Sequence, residues 1–116
     1  MNWSVQTKEF ESYLKLEKSL SGNSIEAYQR DVQHLVSFLE FHKMNINPED
    51  VDLLLLEKFI GWINSMGIHP RSQARMISGI KGFYRFLLLS EYIDTDPTAL
   101  LESPRLGRKL PRKPRQ

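Results

Sequence analysis

Apolar residues recur three and four positions apart along most of the chain, the spacing that lines one face of a helix. Trp3, Phe10, Tyr13 and Leu14 predict a first helix from about Ser4 to Glu17. A polar break follows at Ser21, Gly22 and Asn23, where Ser21 suits the N-cap of a second helix. In that helix Ile25, Tyr28, Val32, Leu35 and Leu39 trace a single stripe to about His42. The stretch Met44 to Asp52 holds Pro48 and three acids and reads as a loop, with Asp52 capping a third helix. Leu55, Phe59, Trp62, Ile63 and Met66 form its main stripe, Leu56 and Ile60 widen it, and Gly67 ends it. So broad a face suits a central helix packed on two sides, the alternative being an exposed groove for a partner. Pro70 opens a fourth helix, with Ala74, Ile77, Ile80, Tyr84 and Leu87 or Leu88 inward, reaching about Leu89. Asp96 and Pro97 repeat the cap-then-proline signal for a short fifth helix through Leu101.

After Glu102 the apolar pattern stops, and Pro104, Pro111 and Pro114 alternate with basic residues. No period-two strand pattern appears. The expected fold is all-α, a compact bundle of four main helices plus a short C-terminal helix and a basic tail. Residues 1–102 form the helical domain, and residues 103–116 form a Pro-containing linker. The tail's cations repel one another and its few apolar side chains, Leu106 and Leu110, offset little of the entropy of ordering, so it is expected to be mobile.

The 116 residues, 41% hydrophobic and 26% charged, fit one ordinary globular domain. The absence of cysteine excludes disulfides and thiolate metal sites. His34, His42 and His69 lack metal-ligand spacing, so neither a metal nor a cofactor is expected. The apolar runs fall far short of the ~20 residues a membrane helix needs, and the first residues carry no signal-peptide pattern. A cytoplasmic protein with no membrane partner is the expectation.

Charge changes this picture. The net charge is only +2, yet residues 1–69 hold six Lys and Arg against ten Asp and Glu, while residues 70–116 hold ten against four. Arg71, Arg75, Lys81 and Arg85 fall in a stretch free of acids, and the tail adds Arg105, Arg108, Lys109, Arg112, Lys113 and Arg115. Such asymmetry points to a polyanionic partner, nucleic acid before membrane, unless the cations are a solvated face and a floppy tail.

Helical spacing puts Arg71, Ser72, Arg75, Ser78, Gly79, Gly82 and Arg85 opposite the apolar stripe of the fourth helix. Each mid-helix glycine costs about 0.8–1.0 kcal/mol relative to alanine, so propensity does not explain Gly79 and Gly82. Close approach does, either of a DNA groove flanked by arginines or of a neighbouring helix. The polar side of the second helix carries Asn23, Ser24, Ala27, Arg30, Asp31 and His34. Its N-terminal amides and the Ser24 hydroxyl could meet a phosphate, or Asn23 and Ser24 could be ordinary capping residues. His34 reads as an exposed residue, His42 as a residue near a helix end, and His69 as an imperfect cap.

No chemistry-bearing motif accompanies these faces: the chain has no phosphate loop, zinc-protease signature, nucleophile elbow or cysteine nucleophile. No catalytic residue is assigned.

Three segments together resemble the N-terminal, core-binding domain of tyrosine site-specific recombinases, especially the Xer-type enzymes and phage integrases. They are LEKSLSGNSIEAYQRDVQHLVSFLE (16–40), HPRSQARMISGIKGFYRFLLLSEYIDTDPTALLESP (69–104) and the tail RLGRKLPRKP. The resemblance implies a SAM-like bundle forming half of a clamp on duplex DNA, with the second and fourth helices facing the duplex. Carried over by position, Ser24 lies near a phosphate and Arg71, Ser72, Arg75 and Gly79 face DNA. Lys81 matches a commonly basic position. Asn23, Arg30, Ser78 and Arg85 complete the candidate DNA-binding set from the two faces above. The sequence departs from the family where Gln73 and Met76 replace aliphatic and basic residues, and where Glu91 replaces the glycine after the fourth helix. The family's tyrosine nucleophile and its arginine, histidine and lysine partners belong to a separate C-terminal domain. Here His69 is followed by Pro70, Arg71 and Ser72, so the family's H-x-x-R segment is absent. The chain is therefore expected to bind duplex DNA without cutting it, as a module of a recombinase whose other protomers join it in a synaptic complex. A helical module docking an acidic protein is the alternative, since fold does not fix function.

Overall fold

The structure, a computed structural model, describes residues 2–101. Four helices follow in order, α1 (Trp3–Leu16), α2 (Gly22–Phe41), α3 (Leu53–Ser65) and α4 (Pro70–Leu89), and no strand occurs among the described residues. The all-α bundle expected from the periodicity is the observed architecture.

Local chemistry sets most boundaries. Asn2 accepts from the Val5 N–H, Ser21 from Ser24 N–H and Asp52 from Leu55 N–H, each capping the helix it precedes. His69 caps α4, its Nδ1 accepting from the Arg71 N–H at 3.1 Å. At their C-terminal ends α2, α3 and α4 turn through left-handed residues: Lys43 (φ 57°), Gly67 (φ 78°) and Glu91 (φ 63°). After α4, Tyr92 N–H reaches Leu87 O and Glu91 N–H reaches Leu88 O, the paired bonds that close a helix through a left-handed residue. Glu91 thus takes a left-handed conformation that glycine would adopt with less strain.

Two sequence expectations need correction. The short fifth helix is a hydrogen-bonded turn, with Ala99 N–H on Asp96 O and Leu101 N–H on Thr98 O. The Asp96 carboxylate accepts from both Thr98 N–H and Thr98 Oγ1, so the cap forms but no helix follows it. A one-turn 3₁₀ segment, Pro48–Asp50, instead interrupts the loop before α3. Second, α3 is not the central helix. The two 20-residue helices α2 and α4 form the main packing pair, and α1 and α3 flank it. Leu55, Leu56, Phe59 and Ile63 of α3 are buried, whereas Leu54 and Met66 are exposed.

The core runs between α2 and α4, from Val32, Leu35 and Leu39 to Ile77, Ile80, Tyr84 and Leu87. Phe10 of α1 closes one side, its ring meeting Phe83, Phe86 and Tyr28. Trp3 stacks on Phe83 and donates its indole N–H to Ile46 O at 2.8 Å, and Tyr84 donates to Pro48 O. These two bonds pin the 42–52 loop. Burial pushes the Tyr84 phenol well up, reinforced by the carboxylates of Asp96, Glu49 and Asp50. Residues 103–116, read above as the basic linker, lie outside the described residues.

Candidate nucleic-acid interface

Where α2 and α4 run side by side they leave a shallow cleft of about 190 Å³, lined by Ser24, Ala27, Tyr28, Asp31, Arg75, Ser78 and Gly79. Ser24, Ala27, Tyr28 and Asp31 share a face of α2 because they stand three, four and seven residues apart. Arg75, Ser78 and Gly79 share one of α4 for the same reason. Of the expected site residues, Ser24, Arg75, Ser78 and Gly79 are brought together here.

The others lie around it. Arg71, one turn before Arg75 on the same side of α4, is exposed, and Arg85 is exposed about 15 Å further along the axis. Ser72 is half-buried beside that row. Lys81, half-buried, stands roughly 120° around the helix from Arg75 but one turn before Arg85, at the edge of the row. Asn23 is exposed at the start of α2. Arg30 is exposed and 3.7 Å from Glu26, a surface pair one turn apart. Ser24 is already engaged in capping: its N–H donates to Ser21 Oγ, and the two hydroxyls are 3.2 Å apart.

The two glycines have a packing explanation. A Cβ at Gly79 would sit 2.6 Å from Asp31 Cβ, inside contact distance, and Gly79 is buried. One at Gly82 would stand 3.3 Å from Tyr28 Cε1. The approach that both require is that of α2.

Asp31 is the residue that sequence reasoning missed. Helical spacing puts it on the polar side of α2, yet it is buried, only 2% exposed. Its Oδ1 accepts from an Arg75 terminal nitrogen at 2.8 Å, and the Arg75 side chain remains 47% exposed. Burial pushes the Asp31 carboxyl up to about 6, against the opposing pull of Arg75 and, more weakly, Arg30. His34, three residues further along α2, is half-buried rather than exposed. Burial, then the charges of Arg75 and Arg30, lowers its pKa and favours the neutral ring. The one available signal for Asp31 was Gly79 itself, a small residue whose purpose could be to admit a side chain from the facing helix.

The site carries cations on an exposed helix edge, hydroxyls at the cleft and no set of groups suited to bond cleavage. Among the described residues no cluster of His, Asp or Glu could hold a metal ion, and no helix is long and apolar enough to cross a membrane.

Comparison with known proteins gives a consistent result. The family described as "Phage integrase, N-terminal SAM-like domain" matches residues 7–91. The chain is 38% identical over 104 residues to tyrosine recombinase XerD of Staphylococcus saprophyticus, covering 90% of this chain and 35% of that protein. The XerD proteins of Staphylococcus epidermidis and Staphylococcus aureus are 36% and 34% identical over the same coverage. The chain thus spans about a third of the length of these curated relatives. No solved structure matches it significantly.

Proposed function

Because this chain belongs to the phage integrase N-terminal SAM-like domain family and corresponds to the N-terminal domain of XerD-like tyrosine recombinases, we propose that it binds duplex DNA through the α2–α4 face. In the full-length enzyme it serves as half of a clamp around the recombination site. Cleavage and rejoining of strands belong to a catalytic domain in the remainder of the protein, and other recombinase protomers assemble with it on DNA. Such an enzyme works in the cytoplasm, in DNA integration or chromosome partition.

The observation that carries this reading is the row of exposed arginines along α4, Arg71, Arg75 and Arg85, beside a cleft bearing the Ser24 and Ser78 hydroxyls. Arg71 to Arg85 spans about 21 Å of helix, enough to meet several phosphates of a duplex. Guanidinium groups suit phosphate oxygens through paired N–H donors, and serine hydroxyls add neutral contacts. Asn23 and Arg30 flank the row from α2, and Lys81 contributes charge from its side.

A labelled mixed-sequence duplex titrated by fluorescence anisotropy at several salt concentrations tests the reading. Binding in the ~10⁻⁴ to 10⁻⁶ M range typical of non-specific contacts is expected, weakening with log salt at a slope of several units. Association with an acidic protein but not with duplex, or self-association insensitive to salt, would replace this reading with that of a protein-docking module.

A further inference from the structure

Resting on the DNA-binding reading above, we propose that Asp31 is a positioning residue for Arg75: its buried carboxylate holds the guanidinium at the mouth of the α2–α4 cleft, aimed at a DNA phosphate.

Three features of the geometry belong together. Asp31 is anchored, with its side chain 3% exposed, while its partner Arg75 is 47% exposed. One end of the pair is fixed inside the bundle and the other opens to solvent. The bond between them uses one terminal N–H of Arg75 at 2.8 Å. A guanidinium carries five N–H donors in a rigid plane, so holding one edge fixes the direction of the others. Third, Gly79 lies one turn beyond Arg75 on α4, and any side chain there would collide with Asp31. The glycine makes the space in which the carboxylate reaches Arg75.

Electrostatics alone argues against an acid on such a face. A carboxylate beside a phosphate-binding arginine opposes the approach of a polyanion, and its burial removes it from water. Positioning supplies the compensation. An unrestrained arginine loses rotamer freedom when it binds, whereas one held by a buried partner has lost much of it on folding. Arg30 and His34 face the same region from α2. Neither reaches Arg75 with an acceptor in the structure, so the restraint falls to Asp31.

The test is a double-mutant cycle on duplex affinity and its salt dependence, using the intact chain, the mixed-sequence duplex, Asp31→Ala, Arg75→Gln and the double variant. Loss of one phosphate contact lowers the salt slope by about 0.9. Asp31→Ala is expected to weaken binding and lower the slope by nearly as much as Arg75→Gln, and the double variant should bind no worse than Arg75→Gln alone. Asp31→Asn, which preserves shape, serves as the second variant should alanine impair folding, and it should lie between wild type and Asp31→Ala. A structural role would change the melting temperature and leave the slope intact. That result, additive losses, or tighter binding by Asp31→Ala would overturn the inference. If the wild-type chain fails to bind duplex at low salt, the DNA reading falls and this inference with it. Restriction of Arg75 is also readable without DNA, since the Arg75 Nε–H should be more ordered by NMR relaxation in wild type than in Asp31→Ala. Equal mobility in the two would refute the restraint directly.

Discussion

Replacing Gly79 with alanine tests the central packing of the bundle, because two effects of known size oppose each other there. Alanine in a helix interior is favoured over glycine by about 0.8–1.0 kcal/mol. Against this, the new Cβ would lie 2.6 Å from Asp31 Cβ and 2.8 Å from Asp31 Cγ. The obstacle is the root of a buried side chain, so relief requires α2 and α4 to move apart. Overpacking of that kind costs about 1–3 kcal/mol, and displacing Asp31 also weakens its bond to Arg75. With the weakened Asp31 bond added, the net expectation is a loss of about 1–2 kcal/mol. At roughly 4–8 °C per kcal/mol for a domain of this size, the melting temperature should fall by about 4–16 °C. Gly61→Ala is the control: Gly61 lies within α3 with open space where the Cβ would be, so it should gain about 0.8–1.0 kcal/mol. Gly82→Ala should fall between them, within about 0.5 kcal/mol of wild type, since the half-buried Tyr28 ring has only tenths of an ångström to give. Thermal melts followed by helical circular dichroism rank the three. If Gly79→Ala melts at or above wild type, the close α2–α4 contact is not the reason for the glycine.

Other consequences can be checked by the same methods. Glu91→Gly removes about 1–2 kcal/mol of left-handed strain, offset by about 0.5–1 kcal/mol from a freer unfolded chain, so urea denaturation should show a gain of up to about 1.5 kcal/mol. The Asp31 carboxyl, raised from 3.8 to about 6, binds its proton more tightly in the folded state. Its contribution to stability is therefore complete below about pH 4 and is lost as pH rises through 6, a decline that Asp31→Asn should remove. His34 acts in the opposite sense: its lowered pKa gives stability above about pH 6.5 that is lost as pH falls, and His34→Gln should abolish that limb in urea midpoints taken across the range. Arg75→Ala should lower stability as well as duplex affinity, because it strips a buried carboxylate of its partner; an unchanged urea midpoint would show that solvent already satisfies Asp31.

The parts of the fold that were legible in the sequence are those fixed by neighbours in the chain. Ser21, Asp52 and Pro70 mark helix starts, and Gly67 a helix end, because caps and left-handed turns depend on side chains a few residues away. The same logic overreached at Asp96, where a satisfied carboxylate closes a turn and no helix is propagated behind it. The apolar breadth of α3 suggests a central position, but breadth does not say what stands opposite: Met66, at the end of that face, meets solvent. The arginine row of α4 was visible as a helical face. The burial of Asp31 was not, since periodicity assigns a residue to a side of its own helix, and whether that side is covered depends on the other helix.

Mapping the contact surface residue by residue tests the account most directly. In ¹H–¹⁵N spectra of the chain titrated with a mixed-sequence duplex at low salt, the account predicts amide shifts concentrated at Asn23 and Ser24 of α2 and at Arg71, Ser72, Arg75 and Ser78 of α4, reversed by added salt. Amides around the exposed Leu54 of α3, which does not line the cleft, should stay unmoved. Shifts centred on that α3 surface, with the arginine row of α4 unaffected, would contradict it.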